Sequence, residues 1–107
     1  MGRIKHNAIV VTSGSSDSIL IAWRKALDLF EGKITTIVEG VANGYFSFLI
    51  VPDGSKEGWK PSDNWDEKRD NYFDWANETG MGFDCIEIRF GGDDYYSEIV
   101  RIAGECK

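Results

Sequence analysis

The sequence predicts an α+β fold: one domain over residues 1–107, a two-layer, ferredoxin-like sandwich with a mainly antiparallel sheet. The element order is β-α-β-β-α-β with an extra C-terminal strand. Three observations predict it. Two separate segments carry apolar side chains at three- and four-residue steps, so each forms a helix with one apolar stripe. Between them, Asn43 and Gly44 join two β-rich runs, and both residue types tolerate the positive φ of a tight hairpin turn. The remaining apolar runs are short and β-branched, or alternate with a period of two. A chain of 107 residues has room for a single core.

Residues 7–12 (NAIVVT) form a buried strand. Ser13, Gly14, Ser15, Ser16, Asp17 and Ser18 then open the first helix. Ser15 or Ser16 accepts from a free backbone N–H, and Asp17 favours the positive end of the helix dipole. Ile19, Ala22, Trp23, Ala26 and Phe30 share one face, and Gly32 stops the helix. Residues 34–41 give the second strand, with Gly40 marking a bulge. Residues 45–51 (YFSFLIV) are its antiparallel partner, central in the sheet by their aromatic and β-branched content. Pro52, Asp53 and Gly54 end that strand.

A second helix starts near Ser62 or Asp63, with Trp65, Arg69, Tyr72, Trp75 and Ala76 on one face and Gly80 as its stop. The stem of Arg69 lies along that face with its charge in water. In residues 83–90, Ile86, Ile88 and Phe90 point one way and Cys85, Glu87 and Arg89 the other. A turn through Gly91, Gly92, Asp93 and Asp94 leads to residues 96–103. These alternate as a last strand, with a short C-terminal helix as the competing reading.

Charge and cysteine content bound the function. Twelve Lys and Arg face eighteen Asp and Glu, a formal net charge of −6. Residues 63–98 hold eleven acids against Lys68, Arg69 and Arg89. Nucleic-acid binding needs cations to replace the phosphates' counterions, so direct binding of nucleic acid is not expected. Apolar runs such as residues 48–52 are far short of the ~20 residues a membrane helix needs. Residues 1–6 have no apolar stretch with a small-residue cleavage site. Cys85 and Cys106 form no disulfide framework, so a reducing, cytoplasmic setting is expected.

Three constellations carry candidate chemistry. Ser13, Gly14, Ser15 and Ser16 precede a helix N-terminus and are a candidate anion site. With Asp17 and Ser18 they resemble the SGGxDS motif of PP-loop ATP pyrophosphatases, in which the glycine-rich loop holds the ATP pyrophosphate. Ser13, Gly14, Asp17 and Ser18 match, while Ser15 replaces the second glycine. That family's parallel sheet conflicts with the Asn-Gly hairpin, so the segment reads as an ordinary capping loop.

The connection over residues 52–63 is longer than most and carries the leading candidate site. Trp59, flanked by Gly58 and Lys60, belongs to no periodic pattern. Its indole offers a stacking surface, while Ser55, Lys56 and Lys60 engage an anion. Asn43, Gly44, Tyr45, Ser47, Phe48, the run VPDGSKEGW over residues 51–59, Ser62 and Asp63 resemble small uncharacterised proteins encoded by phages and prophages. The resemblance implies an accessory or anti-defence role during infection, such as sequestering a signalling nucleotide or blocking a host protein.

Acids make the third constellation. Asp63, Asp66, Asp70 and Asp74 line the second helix and form an alternative acidic interface. Through it the chain would inhibit a basic host protein or mimic nucleic-acid charge. Together with Asp93 and Asp94 they do not follow a calcium-loop spacing, and no metal or cofactor is expected. His6 is the single histidine, and Glu87 and Glu98 read as surface carboxylates beside Arg89 and Arg101. The expectation is a non-enzymatic, homo-oligomeric binding protein for a small anionic ligand or a host protein, with no membrane partner.

Overall fold

In the computed structural model, residues 4–80, 82–93 and 96–104 are described. The elements run β1 (His6–Ser13), α1 (Ser16–Leu29), β2 (Val38–Glu39), β3 (Phe46–Ile50), α2 (Lys60–Thr79), β4 (Asp84–Phe90) and β5 (Glu98–Ala103). The fold is α+β: two helices on one five-stranded sheet of order β2-β3-β1-β4-β5, with every pairing antiparallel. No described helix is long and apolar enough to cross a membrane. The C-terminal segment is a strand, as its alternation predicts.

β1 lies at the centre, paired with β3 through Ile9–Ile50 and Val11–Phe48 and with β4 through Ile9–Glu87 and Val11–Cys85. Directly opposed residues share a sheet face. The face carrying Ile9, Val11, Phe48, Ile50, Cys85 and Ala103 is therefore the one the helices cover. Ile19, Ala22 and Ala26 of α1 and Tyr72, Phe73 and Ala76 of α2 complete the core with Phe30 and Phe83. The buried Tyr72 hydroxyl donates to the Ala22 carbonyl at 2.9 Å, which fixes one helix on the other without leaving a buried donor unpaired.

Turn chemistry follows the sequence closely. Ser15 caps α1, its Oγ accepting from the Ser18 N–H at 3.2 Å. Asn43 and Gly44 both take positive φ, 64° and 66°, but the ladder ends at Glu39–Phe46 and Gly40 N–H donates to the Tyr45 carbonyl at 2.7 Å, so residues 41–44 form a longer loop than the tight two-residue turn expected. α2 begins at Lys60, ahead of the expected Ser62 or Asp63. Pro61 is tolerated there because the first helical N–H groups have no intrahelical acceptor.

The second strand is shorter than residues 34–41. Only Val38 and Glu39 form a regular ladder with β3, while Ile34 makes an isolated bridge to Ile50. Trp23 explains the gap. Its indole N–H takes the Thr35 carbonyl at 2.9 Å, and the Leu49 N–H turns instead to Thr35 Oγ1 at 2.9 Å.

The other face of the sheet is covered by neither helix. On it lie the pairs Val10–Leu49, Val10–Ile86, Ile86–Ile102 and Ile88–Ile99. A bulge between Glu87 and Ile88 shifts the β4–β5 register, so Ile99 and Ile102, of opposite parity in sequence, reach the same face.

Candidate ligand-binding site

The connection from β3 to α2 is held from below by a buried charge cluster. Arg69, on the inward stripe of α2, is 3% exposed. Its Nη1 donates to Asp53 Oδ1 at 3.2 Å and its Nη2 to Asp66 Oδ1 at 2.5 Å, and its Nε lies 3.7 Å from Glu87 Oε2. The expectation of a charge in water is therefore corrected: stem and head are both enclosed. A guanidinium presents five donors in a fixed fork, and three carboxylates from three elements meet it here.

Glu87 is likewise no surface carboxylate. It is 2% exposed and accepts from Asn7 Nδ2 and Arg101 Nε, each at 2.7 Å. Arg101 also reaches Asp70 Oδ1 at 2.7 Å. Partial burial works against the Arg101 charge, but hydrogen bonds to Glu87 and Asp70 outweigh it, so this guanidinium holds its proton more firmly than a free one. Arg69 and Arg101 thus balance the enclosed Asp53 and Glu87, with Asp66 and Asp70 at the exposed rim.

Above this cluster the loop is shaped by local bonds. Ser55 Oγ donates to Asp53 Oδ2, Trp59 N–H donates to the Lys56 carbonyl at 3.2 Å, and Lys56 pairs with Ile4 in an isolated antiparallel bridge. Gly54 and Gly58 take positive φ, 78° and 86°, which makes these tight reversals accessible. A small polar cleft of about 100 Å³ opens beside the loop, lined by Ser55, Asp53, Ser62, Lys5, Arg69 and Arg89 among others.

The expected ligand residues divide into two groups. Ser55 lines the cleft; Lys56, Trp59 and Lys60 are not part of the lining. Lys56 Nζ sits 5.7 Å from the Trp59 ring centroid. Trp59 is 51% exposed, unlike the other tryptophans, which pack against the core. Trp65 stacks on Phe30 and Trp75 on Phe83, with centroids 5.4 and 5.7 Å apart. Among the described residues Lys60 forms no ion pair, whereas Lys5 lies 3.7 Å from Glu57.

At the start of α1 the hydroxyls serve the backbone. Ser13 Oγ donates to the Gly82 carbonyl at 2.6 Å and accepts from the Ser15 N–H at 3.1 Å, while Gly14 and Ser16 are exposed. In the acidic row, Asp66 and Asp70 are engaged by Arg69 and Arg101, and Asp63 and Asp74 face solvent. Asp93 is tied to Ile4 by two 2.9 Å hydrogen bonds, whereas Asp94 and Cys106 lie outside the described residues. No group of three metal-ligating side chains occurs among the described residues. The buried Cys85 thiol is pushed up to about 12, first by desolvation and then by the charge of Asp84, and so is unreactive near neutrality.

The sequence reading missed the Arg69–Asp53–Glu87 cluster. The signal was an arginine on an otherwise apolar helical stripe together with a glutamate on the strand face that also carries Cys85. No protein family, no curated protein and no solved structure matches the chain.

Proposed function

We propose that the protein is a non-enzymatic binding protein that holds a small anionic, nucleotide-like ligand at the rim of the β3–α2 loop. Lys56, Trp59 and Lys60 make the contact and Ser55 lies in the adjoining cleft. One observation carries this reading: of four tryptophans, three are partly buried against the core and Trp59 alone stands half in solvent on an anchored loop. Stacking of a base on an aromatic ring contributes roughly 1–3 kcal/mol, and adjacent ammonium groups supply the complement to phosphate. Because Asp53 ties the loop to Arg69, little ordering entropy is lost when a ligand docks.

A ferredoxin-like assignment accompanies this proposal. It is supported by the order β2-β3-β1-β4, with β1 between two antiparallel neighbours and β5 added at the edge. The likeness of the loop to phage and prophage proteins supports an accessory role in infection, in a cytoplasmic setting. The acidic-inhibitor alternative draws less support, since Asp66 and Asp70 are already neutralised by arginines.

Mass spectrometry of small molecules retained by the purified protein, followed by titration with nucleotides while Trp59 fluorescence is monitored, tests the reading. Trp59→Ala and Lys56→Ala should each abolish binding with the circular dichroism unchanged. A ligand that binds both variants as it binds the parent would refute the site.

A further inference from the structure

We propose that the uncovered face of the sheet is the contact surface of a homodimer, in which two copies pack sheet on sheet about a twofold axis. Its centre is formed by Val10, Leu49, Ile86, Ile88, Ile99 and Ile102, brought together by the strand register and by the β5 bulge. Ile99 is 60% exposed and Ile102 43%, an unusual state for two isoleucines facing the same way as Ile86 and Ile88. Polar groups border the patch. Thr12 and Ser47, whose hydroxyls lie 2.8 Å apart, and Asp84 bound one end, and His6 against Phe90 bounds the other. An apolar centre with a polar rim is the anatomy of a specific interface.

Charge selects a second copy as the occupant. The chain carries a formal net charge of −6, so two copies repel one another through most of their surfaces. No charged side chain occurs among the opposed pairs at the centre of this face. A nucleic acid would need cations there, and a basic protein would need carboxylates; the centre of the face offers neither. An anionic membrane surface is disfavoured by the acidic chain as a whole.

The size suits a weak, concentration-dependent pair. Strands of 8, 2, 5, 7 and 6 residues, rising ~3.3 Å per residue and ~4.8 Å apart, present roughly 440 Å² per copy, or about 900 Å² per pair, in the range of transient interfaces. Two twisted sheets with aliphatic inner faces pack ~10 Å apart.

The test is sedimentation equilibrium of the full chain from low-micromolar to near-millimolar concentration, with Ile99→Asp and Ile102→Asp alongside. The parent should approach twice the 12.0 kDa chain mass, and raised salt should tighten the association by screening like charges. Each variant should remain at the monomer mass with an unchanged circular dichroism spectrum, because these side chains are exposed in the single chain. A parent that stays monomeric throughout overturns the proposal, as does a dimer that both variants leave intact. A monomer that floats with lipid vesicles also overturns it, by assigning the face to a bilayer.

Discussion

Arg69 Nη1 and Asp53 Oδ1 lie 3.2 Å apart with both side chains more than nine-tenths buried, and this pair ties α2 to the loop that carries Trp59. An enclosed ion pair is a weak source of net stability but costly to break on one side, since the remaining charge is left without compensation. Asp53→Ala should therefore destabilise the protein by about 3 kcal/mol in urea unfolding, and Ser55 should lose its partner at the same time. Asp66→Ala should cost well under half as much, because Asp66 is mostly solvent-exposed and the enclosed Asp53 and Glu87 remain. Equal losses in the two variants would contradict the view that Asp53 is the anchor.

Which parts of this arrangement the sequence discloses follows from the range of the interactions. The Ser15 cap, the Asn43-Gly44 reversal and the α1 stripe are set by residues within a few positions of one another, and local chemistry identifies them. Arg69 and Glu87 are eighteen positions apart and become neighbours only when α2 lies over β4. From periodicity alone each looks like a charge that reaches water. The same holds for Ile99: strict alternation sets it opposite to Ile102, and the bulge opposite Glu87 and Ile88 reverses that. For the candidate site, the isolation of Trp59 between Gly58 and Lys60 was visible, whereas the separation of Ser55 from Lys56, Trp59 and Lys60 depends on the loop's three-dimensional course.

Trp59 differs from the other tryptophans in a way fluorescence can resolve. The indoles of Trp65 and Trp75 stack on Phe30 and Phe83, and that of Trp23 donates to Thr35, whereas Trp59 is half-exposed. In Trp59→Phe the emission maximum should move to shorter wavelength and acrylamide quenching should fall, with unfolding free energy changed by less than about 0.5 kcal/mol. Trp75→Ala should instead cost about 3 kcal/mol by emptying a packed site. An unchanged quenching constant in Trp59→Phe would mean that the loop covers the ring.

Alkali should weaken the fold through two buried acids. The Cys85 thiol is raised from 9.0 to about 12 by desolvation, then by Asp84. The Tyr72 phenol is raised above its usual 10.0 by desolvation, then by Cys85. In both, the fold favours the neutral form, so the unfolded chain releases the proton first. Their contribution to stability is thus complete below the unfolded-state values. It is lost progressively as pH climbs, from 9.0 for Cys85 and from 10.0 for Tyr72. Each group lowers the unfolding free energy by about 1.4 kcal/mol per pH unit within its window. Urea unfolding at half-unit steps between pH 8 and 11 should show the parent losing stability from about pH 9. Cys85→Ala should begin lower, because a buried cavity is opened, yet hold level for roughly one further pH unit before Tyr72 takes effect. Parallel curves for the two proteins would exclude the thiol as the source. So would rapid reaction of native Cys85 with a thiol reagent at pH 8, since a group held neutral and enclosed reacts only after the chain opens.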